Sequence, residues 1–206
     1  NEDDVQKAHP DSFQLVPDED IVNAAFEVMR DGGFGSVNAR NVAKKLGCST
    51  QPIYLSFQSM DELKSELTQH AMDAHTEKVL ASIRESRTSH IRYLDYGIGF
   101  IRFAEQEKEL FRWLYLSGGQ AGYRMSDIHL PDIIRTISED FGYTEEVARR
   151  FHEDMIYYSY GIAILLNTGS ISLDDDELIS ALQREFKALT AVYGEPKNKD
   201  FKGEAT

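Results

Sequence analysis

One cysteine, five prolines and no long apolar run set the first limits on this 206-residue chain. The lone thiol, Cys48, has no partner for an intramolecular disulfide and fits a reducing compartment. Fourteen glycines and five prolines are too few for a β-protein built on many tight turns, which favours helices. The longest apolar stretch, Gly161–Leu166, falls far short of the ~20 residues that cross a bilayer. The opening NEDDVQKAHPDS has neither a basic n-region nor an apolar h-region, so no secretory signal is expected. A cytoplasmic protein with no membrane partner is the expectation. The six histidines show no HxxxH or Cys/His spacing, so neither a metal nor another cofactor is expected. Walker A, HExxH and G-x-S-x-G motifs are all missing, and Cys48 has no evident base beside it. These absences argue against an enzyme.

What the chain does hold is acid. Its net charge of −13 argues by itself against nucleic acid, but the distribution matters more than the sum. From Ser36 to Gln58 there are three cations, Arg40, Lys44 and Lys45, and no Asp or Glu. An acidic body with one small basic island suggests a molecule that meets phosphate at a single place.

Hydrophobic periodicity is helical throughout. Asp18, Glu19 and Asp20 suit the positive end of a first helix, whose stripe is Ile21, Ala24, Ala25, Val28 and Met29, with Gly32 and Gly33 ending it. Asn38 is an N-cap for a short helix with Ala39, Val42, Ala43 and Leu46 inward, and Gly47 stops it. Ser49 is the expected N-cap of a third helix, Thr50–Ser56, with Pro52 in its first turn. Ser59-Met60-Asp61-Glu62 reads as a capping box that launches a longer helix. Further helices follow through Ile91–Ala104, Glu109–Leu116 and Pro131–Phe141, then from Thr144 and from Asp174. Between Tyr157 and Leu166 the pattern is apolar nearly all round, a helix that must be covered on more than one side.

Two short helices joined by a tight turn, Asn38–Leu46 and Thr50–Ser56, match the DNA-binding helix-turn-helix. In that motif the first helix braces the second, whose exposed N-terminal residues reach base edges. From Ile21 to Leu67 the sequence resembles the N-terminal domain of TetR-family transcriptional regulators. The likeness rests on Ala24-Ala25, Gly33-Phe34, Val42-Ala43, Gly47-Cys48-Ser49, Ile53-Tyr54 with Phe57, and Glu62-Leu63, in that order and spacing. Phe100–Leu116 and Tyr160–Gly169 are similar to parts of the family's regulatory domain. Thr50 and Met60 depart from the pattern, standing where the family often has Lys or Arg.

The resemblance implies an all-α fold: an N-terminal three-helix DNA-binding domain and a C-terminal helical domain for effector binding and dimerisation. The expected divisions are a mobile tail at 1–16, the DNA-binding domain at 17–62, the effector and dimer domain at 63–194, and a tail at 195–206. It implies a repressor that binds a palindromic operator as a homodimer and is released by a small-molecule effector. DNA contacts would come from Asn38, Arg40, Lys44, Ser49, Thr50, Gln51, Pro52, Tyr54 and Ser56. Gln51 suits adenine, and Tyr54 a backbone phosphate. Tyr96, Phe100, Phe103, Trp113, Tyr123, Phe141, Phe151 and Tyr158 could line an effector pocket or simply fill a core. Tyr157, Ile164, Leu165, Leu178, Leu182, Phe186 and Leu189 are the candidate dimer contacts. Three cations in each of two subunits put the salt slope of DNA binding at no steeper than about −5. An acidic helical module that docks another protein and no longer reads DNA remains the alternative.

Overall fold

The computed structural model describes residues 16–85, 92–116 and 130–195, with the side chain of Ile83 left out. Every regular element among them is helical. They fall into two compact units that divide at Leu67, within the long fourth helix.

In the first unit, α1 (Asp18–Gly32) carries three carboxylates in its first turn and buries Ile21, Ala24, Ala25 and Met29. That stripe packs on α2 (Ala39–Leu46) and on the 3-10 turn Phe34–Ser36. Small side chains at Ala24, Ala25, Ala39 and Ala43 let these helices approach closely, and Val42 and Met29 fill the seam. Ser36 ties the turn down by donating its hydroxyl to Val28 O at 2.9 Å. Helix α3 (Gln51–Ser56) follows, and α4 (Met60–Arg84) begins in this unit with Leu63 and Leu67 fully buried.

The second unit contains the rest of α4, α5 (Arg92–Gln106), α6 (Lys108–Phe111) and a π-helical turn at Arg112–Leu116. It continues with α7 (Leu130–Phe141), α8 (Glu145–Asn167) and α9 (Asp175–Tyr193). Helix α5 is the axis, packing against α6, α7, α8 and α9 and burying residues nearly all round. It also runs tightly against α4. A Cβ on Gly99 would lie 2.8 Å from Ser82 Cβ and 3.1 Å from Val79 Cα, so only glycine fits that crossing. The Ser82 hydroxyl donates to Asp95 O at 3.1 Å across the same contact.

Polar staples finish the unit. Asn167 is buried at the end of α8, where its amide donates to Ala104 O at 2.8 Å and Lys108 O at 3.1 Å. Its carbonyl accepts from Arg112 Nε at 3.1 Å, so one side chain closes the junction of α5 and α6. Arg102 reaches from α5 to Leu173 O and to Asp175 at 2.8 Å, at the entrance to α9. There Asp174 and Glu177 form a reciprocal capping box. Thr144 caps α8 by accepting from Val147 N, and Gly142 closes α7 at φ 69°.

Two expected helix starts are adjusted. The N-cap of α3 is Thr50 rather than Ser49, although the Ser49 hydroxyl still accepts from Gln51 N at 3.4 Å. At α4, Ser59 accepts from Glu62 N as a capping box requires. Glu62 answers one residue earlier, accepting from Gln58 N at 2.6 Å.

Candidate DNA-binding surface

The surface is built from α2, the turn after it, and α3. Asn38 starts α2 by accepting from Asn41 N at 3.0 Å, and its amide donates to Ser36 O at 3.1 Å. That side chain is committed to capping. Gly47 ends the helix at φ 69°, a left-handed conformation in which a Cβ would be strained. The chain can therefore reverse within a few residues, and Cys48 N donates back to Ala43 O at 3.1 Å. Cys48 is half-buried at the turn, its thiol 3.2 Å from Ser49 O.

Only six residues long, α3 has little intrinsic stability. It is held by one buried side, Ile53 within it and Phe57 at its C-cap. Everything else follows from the helical period. With Ile53 and Phe57 inward, Thr50, Gln51, Tyr54 and Leu55 face solvent, while Pro52 and Ser56 sit half-buried at the edges. Tyr54 is 56% exposed, so its hydroxyl is not a core group. Ser49, Arg40 and Lys44 are also exposed, and no described carboxylate pairs with Arg40 or Lys44. Lys45 differs: its Nζ lies 3.2 Å from Asp31.

The site is thus a cluster of exposed amide, hydroxyl and apolar side chains with two cations beside them, on a segment free of acid. Such a surface can donate to phosphates and offer a Gln to base edges. One exposed member escaped the sequence reading. Leu55 is 62% exposed, and the available signal was its place two residues from both Ile53 and Phe57, on the far side of the helix.

The other candidate residues separate by burial. Of the eight aromatics considered for an effector pocket, Tyr123 lies outside the described residues. Phe103, Phe141 and Phe151 are fully buried and packed ring on ring; Phe141 lies 5.9 Å from Phe151 and 5.2 Å from Phe186 between centroids. Phe100 belongs to a second cluster with Phe111, Tyr115 and Tyr160, in which Phe100 and Tyr115 stand 5.2 Å apart. Trp113 is half-buried, donating its indole N–H to Thr68 at 3.3 Å, and Tyr158 is half-buried on α8.

A cavity of about 190 Å³ does open in the second unit, between α4, α5 and α7. Its wall includes Thr76, Val79, Leu80, Tyr93, Ile133 and Thr136, and of the eight candidates it takes only Tyr96. Phe100, Phe141 and Phe151 pack against other rings. Tyr93 is itself anchored, its hydroxyl 2.9 Å from His152 Nδ1, and burial pushes its pKa far above the usual range.

The dimer candidates divide in the same way. Leu178 and Leu182 are fully buried and Phe186 nearly so, all within the chain's own core. Tyr157 is 63% exposed and Leu165 42%, while Ile164 and Leu189 are half-buried.

Among the described residues no helix is long and apolar enough to cross a membrane, and no three His, Cys, Asp or Glu side chains gather as a metal site.

Comparison with known proteins agrees with this geometry. Residues 21–67 match the family model for bacterial regulatory proteins of the tetR family. No curated protein gives a significant sequence match. The fold is similar to a Mesorhizobium loti protein assigned to the TetR family, with TM-score 0.61 and 16% identity over 85% of this chain and 95% of that one. A TetR-like transcriptional regulator from Rhodococcus sp. RHA1 matches with TM-score 0.59 and 19% identity, over 87% of this chain and 100% of the other. The flavonoid-responsive regulator FrrA matches with TM-score 0.53 and 14% identity, over 85% and 95%. Residues 21–67 therefore match the N-terminal domain of the TetR family, and the described residues have the fold of TetR-type transcriptional regulators.

Proposed function

We propose that the protein is a one-component transcriptional repressor: a homodimer that reads a palindromic operator with α3 of each subunit and lets go when a small molecule fills the second unit. The observation that carries this is the outward set Thr50, Gln51 and Tyr54 on a braced helix within a segment that holds no acid. Gln51 suits bidentate pairing with adenine, and Thr50 and Pro52 suit contact with neighbouring bases. Tyr54, Arg40 and Lys44 suit phosphate, which fixes register without reading sequence.

Dimerisation is supported by the outer face of α8. Tyr157, Gly161 and Leu165 lie on one row at four-residue spacing and are all exposed. An exposed apolar row beside a glycine suits close approach of a second copy, with Leu189 and Val192 of α9 adding to it. Two-fold symmetry would then set the recognition helices about 34–36 Å apart, one turn of B-DNA.

For the effector, the cavity between α4, α5 and α7 gives a scale. A cavity of ~150 Å³ holds benzene. About 190 Å³ therefore suits one ring with a short substituent, smaller than the three-ring skeleton of the flavonoids named for FrrA. Charge at the rim is already matched, Arg92 lying 2.7 Å from Asp140 and Asp132 2.5 Å from Arg135, so a neutral ligand is favoured. Occupancy would favour a subunit arrangement with a different spacing of recognition helices, and DNA affinity would fall by linkage.

The test is a binding selection on randomised duplex DNA with the full chain. A palindromic site should emerge, and Tyr54→Phe with Gln51→Ala should weaken it by at least tenfold without altering the melting temperature. A phenol or toluene probe should then loosen the complex. No enriched sequence at low ionic strength would end the proposal.

A further inference from the structure

A single exposed leucine is ordinary on a protein surface and needs no explanation. Leu55 is informative because of where it stands. It lies on α3 next to Tyr54, on the side opposite Ile53 and Phe57, inside the stretch from Ser36 to Gln58 that carries three cations and no acid. A polar residue there would serve solubility equally well. Gln51 precedes it by four residues, one helical turn back on the same row, and is also exposed. The pair thus presents one bidentate hydrogen-bonding group and one branched apolar group side by side.

We infer that Leu55 is a specificity-determining residue whose side chain seats against the C5-methyl of a thymine in the major groove, close to the base pair read by Gln51. The inference rests on the DNA-reading role proposed above. Its chemistry is restrictive. Thymine's methyl is the one apolar group that the four bases display in the major groove, so an apolar side chain held there can discriminate in only one way. The spacing is restrictive too. Side chains four apart on a helix have Cβ atoms about 5–6 Å apart, and successive base pairs rise by about 3.4 Å. Leu55 therefore meets a thymine one or two base pairs from the position of Gln51. With only Arg40 and Lys44 beside this face uncommitted to a described carboxylate, contacts to bases must carry a larger share of affinity than in a strongly basic reading head.

Deoxyuridine differs from thymidine by that methyl alone, which makes the test specific. In the operator found by selection, each thymine is replaced in turn by deoxyuridine and affinity for the full-length dimer is measured. One position in each half-site should respond. Burying one methyl corresponds to about a fourfold change, and symmetric replacement in both half-sites to about fifteenfold. Leu55→Ala should bind the thymine operator as weakly as the wild type binds the uracil one, and should no longer distinguish the two. Since Leu55 is mostly exposed, Leu55→Ala should melt with the wild type, so a weakened complex reports on recognition rather than folding.

Uracil that is silent at every position, or a uracil effect that persists unchanged in Leu55→Ala, overturns the assignment while leaving operator binding intact. A change of oligomeric state in Leu55→Ala would make the side chain a contact between copies and overturn it as well. Failure of the wild type to bind any duplex is a separate result that removes the regulatory reading and this one with it.

Discussion

On α3, Tyr54 and Leu55 point outward with more than half their surface exposed, while on α8 Phe151 has no exposed surface at all. Both regions are rich in large apolar side chains, and they use them in opposite directions. Helix α3 rests on Ile53 and Phe57 and leaves Gln51, Tyr54 and Leu55 exposed. Phe151 meets Tyr93, Phe141, Tyr143, Phe186 and Tyr193 with centroids 5.4 to 6.0 Å apart, mostly edge to face. Edge-to-face rings gain from quadrupole alignment as well as from burial. The comparison teaches that the large rings around Phe151 are spent on packing one another, whereas Tyr54 and Leu55 on α3 lie outside the core.

The largest effect that should separate the two regions comes from truncation. Phe151→Ala removes the hub ring and should cost about 3–5 kcal/mol, a large share of a typical domain's stability. Tyr54→Ala should change stability by less than about 0.5 kcal/mol. Chemical denaturation of the two variants decides it. A Phe151→Ala protein as stable as the wild type would mean that the ring cluster is not holding the second unit.

A smaller effect comes from pH. Burial raises the pKa of Tyr93 above its ordinary value of about 10, so the folded state holds the phenol proton where the unfolded state has released it. The resulting stability is fully present below about pH 10 and declines as pH rises beyond it, by up to ~1.4 kcal/mol per pH unit. Tyr160 is shifted in the same direction by burial and adds to the trend. Tyr93→Phe should be less stable at neutral pH by about 1–3 kcal/mol, since His152 loses that buried hydrogen bond. Its decline between pH 9 and 11 should nevertheless be shallower. Parallel alkaline curves would mean that Tyr93 can ionise without disturbing the core.

The helix-turn-helix was legible in sequence because its determinants are local. Asn38 as a cap, Gly47 as a left-handed stop and the four-residue spacing of Ile53 and Phe57 each fix a backbone choice by themselves. The second unit was legible as helices but not as a site. Periodicity says that Phe141, Phe151 and Phe186 face inward. It does not say whether the space between them is filled, because that depends on which helices meet. The same limit explains Leu178 and Leu182. Their spacing marks an apolar stripe on α9, and only the packing of α9 on α5 and α8 shows that the stripe is used up within one chain. The junction at Asn167 left no local pattern, since its partners Ala104, Lys108 and Arg112 lie more than fifty residues away.

The finest distinction lies within the basic island itself, between Lys44 and its neighbour Lys45. Both stand in the last turn of α2 and both are exposed, but Lys45 is 3.2 Å from Asp31 while no described carboxylate pairs with Lys44. A cation already neutralised by a carboxylate releases no counterion from DNA. The two subunits of the proposed dimer then offer four effective cations, Arg40 and Lys44 twice over, and the slope of log affinity against log salt should be about −3.6 rather than the −5.4 of six. Lys44→Gln should flatten it by about 1.8, and Lys45→Gln should leave it unchanged to within about half a unit. Fluorescence-anisotropy titrations of a labelled operator between 50 and 200 mM salt resolve such differences. If Lys45→Gln flattens the slope as much as Lys44→Gln does, Asp31 gives up its lysine to a phosphate on binding, and the acidic body yields more to the duplex than its free structure indicates.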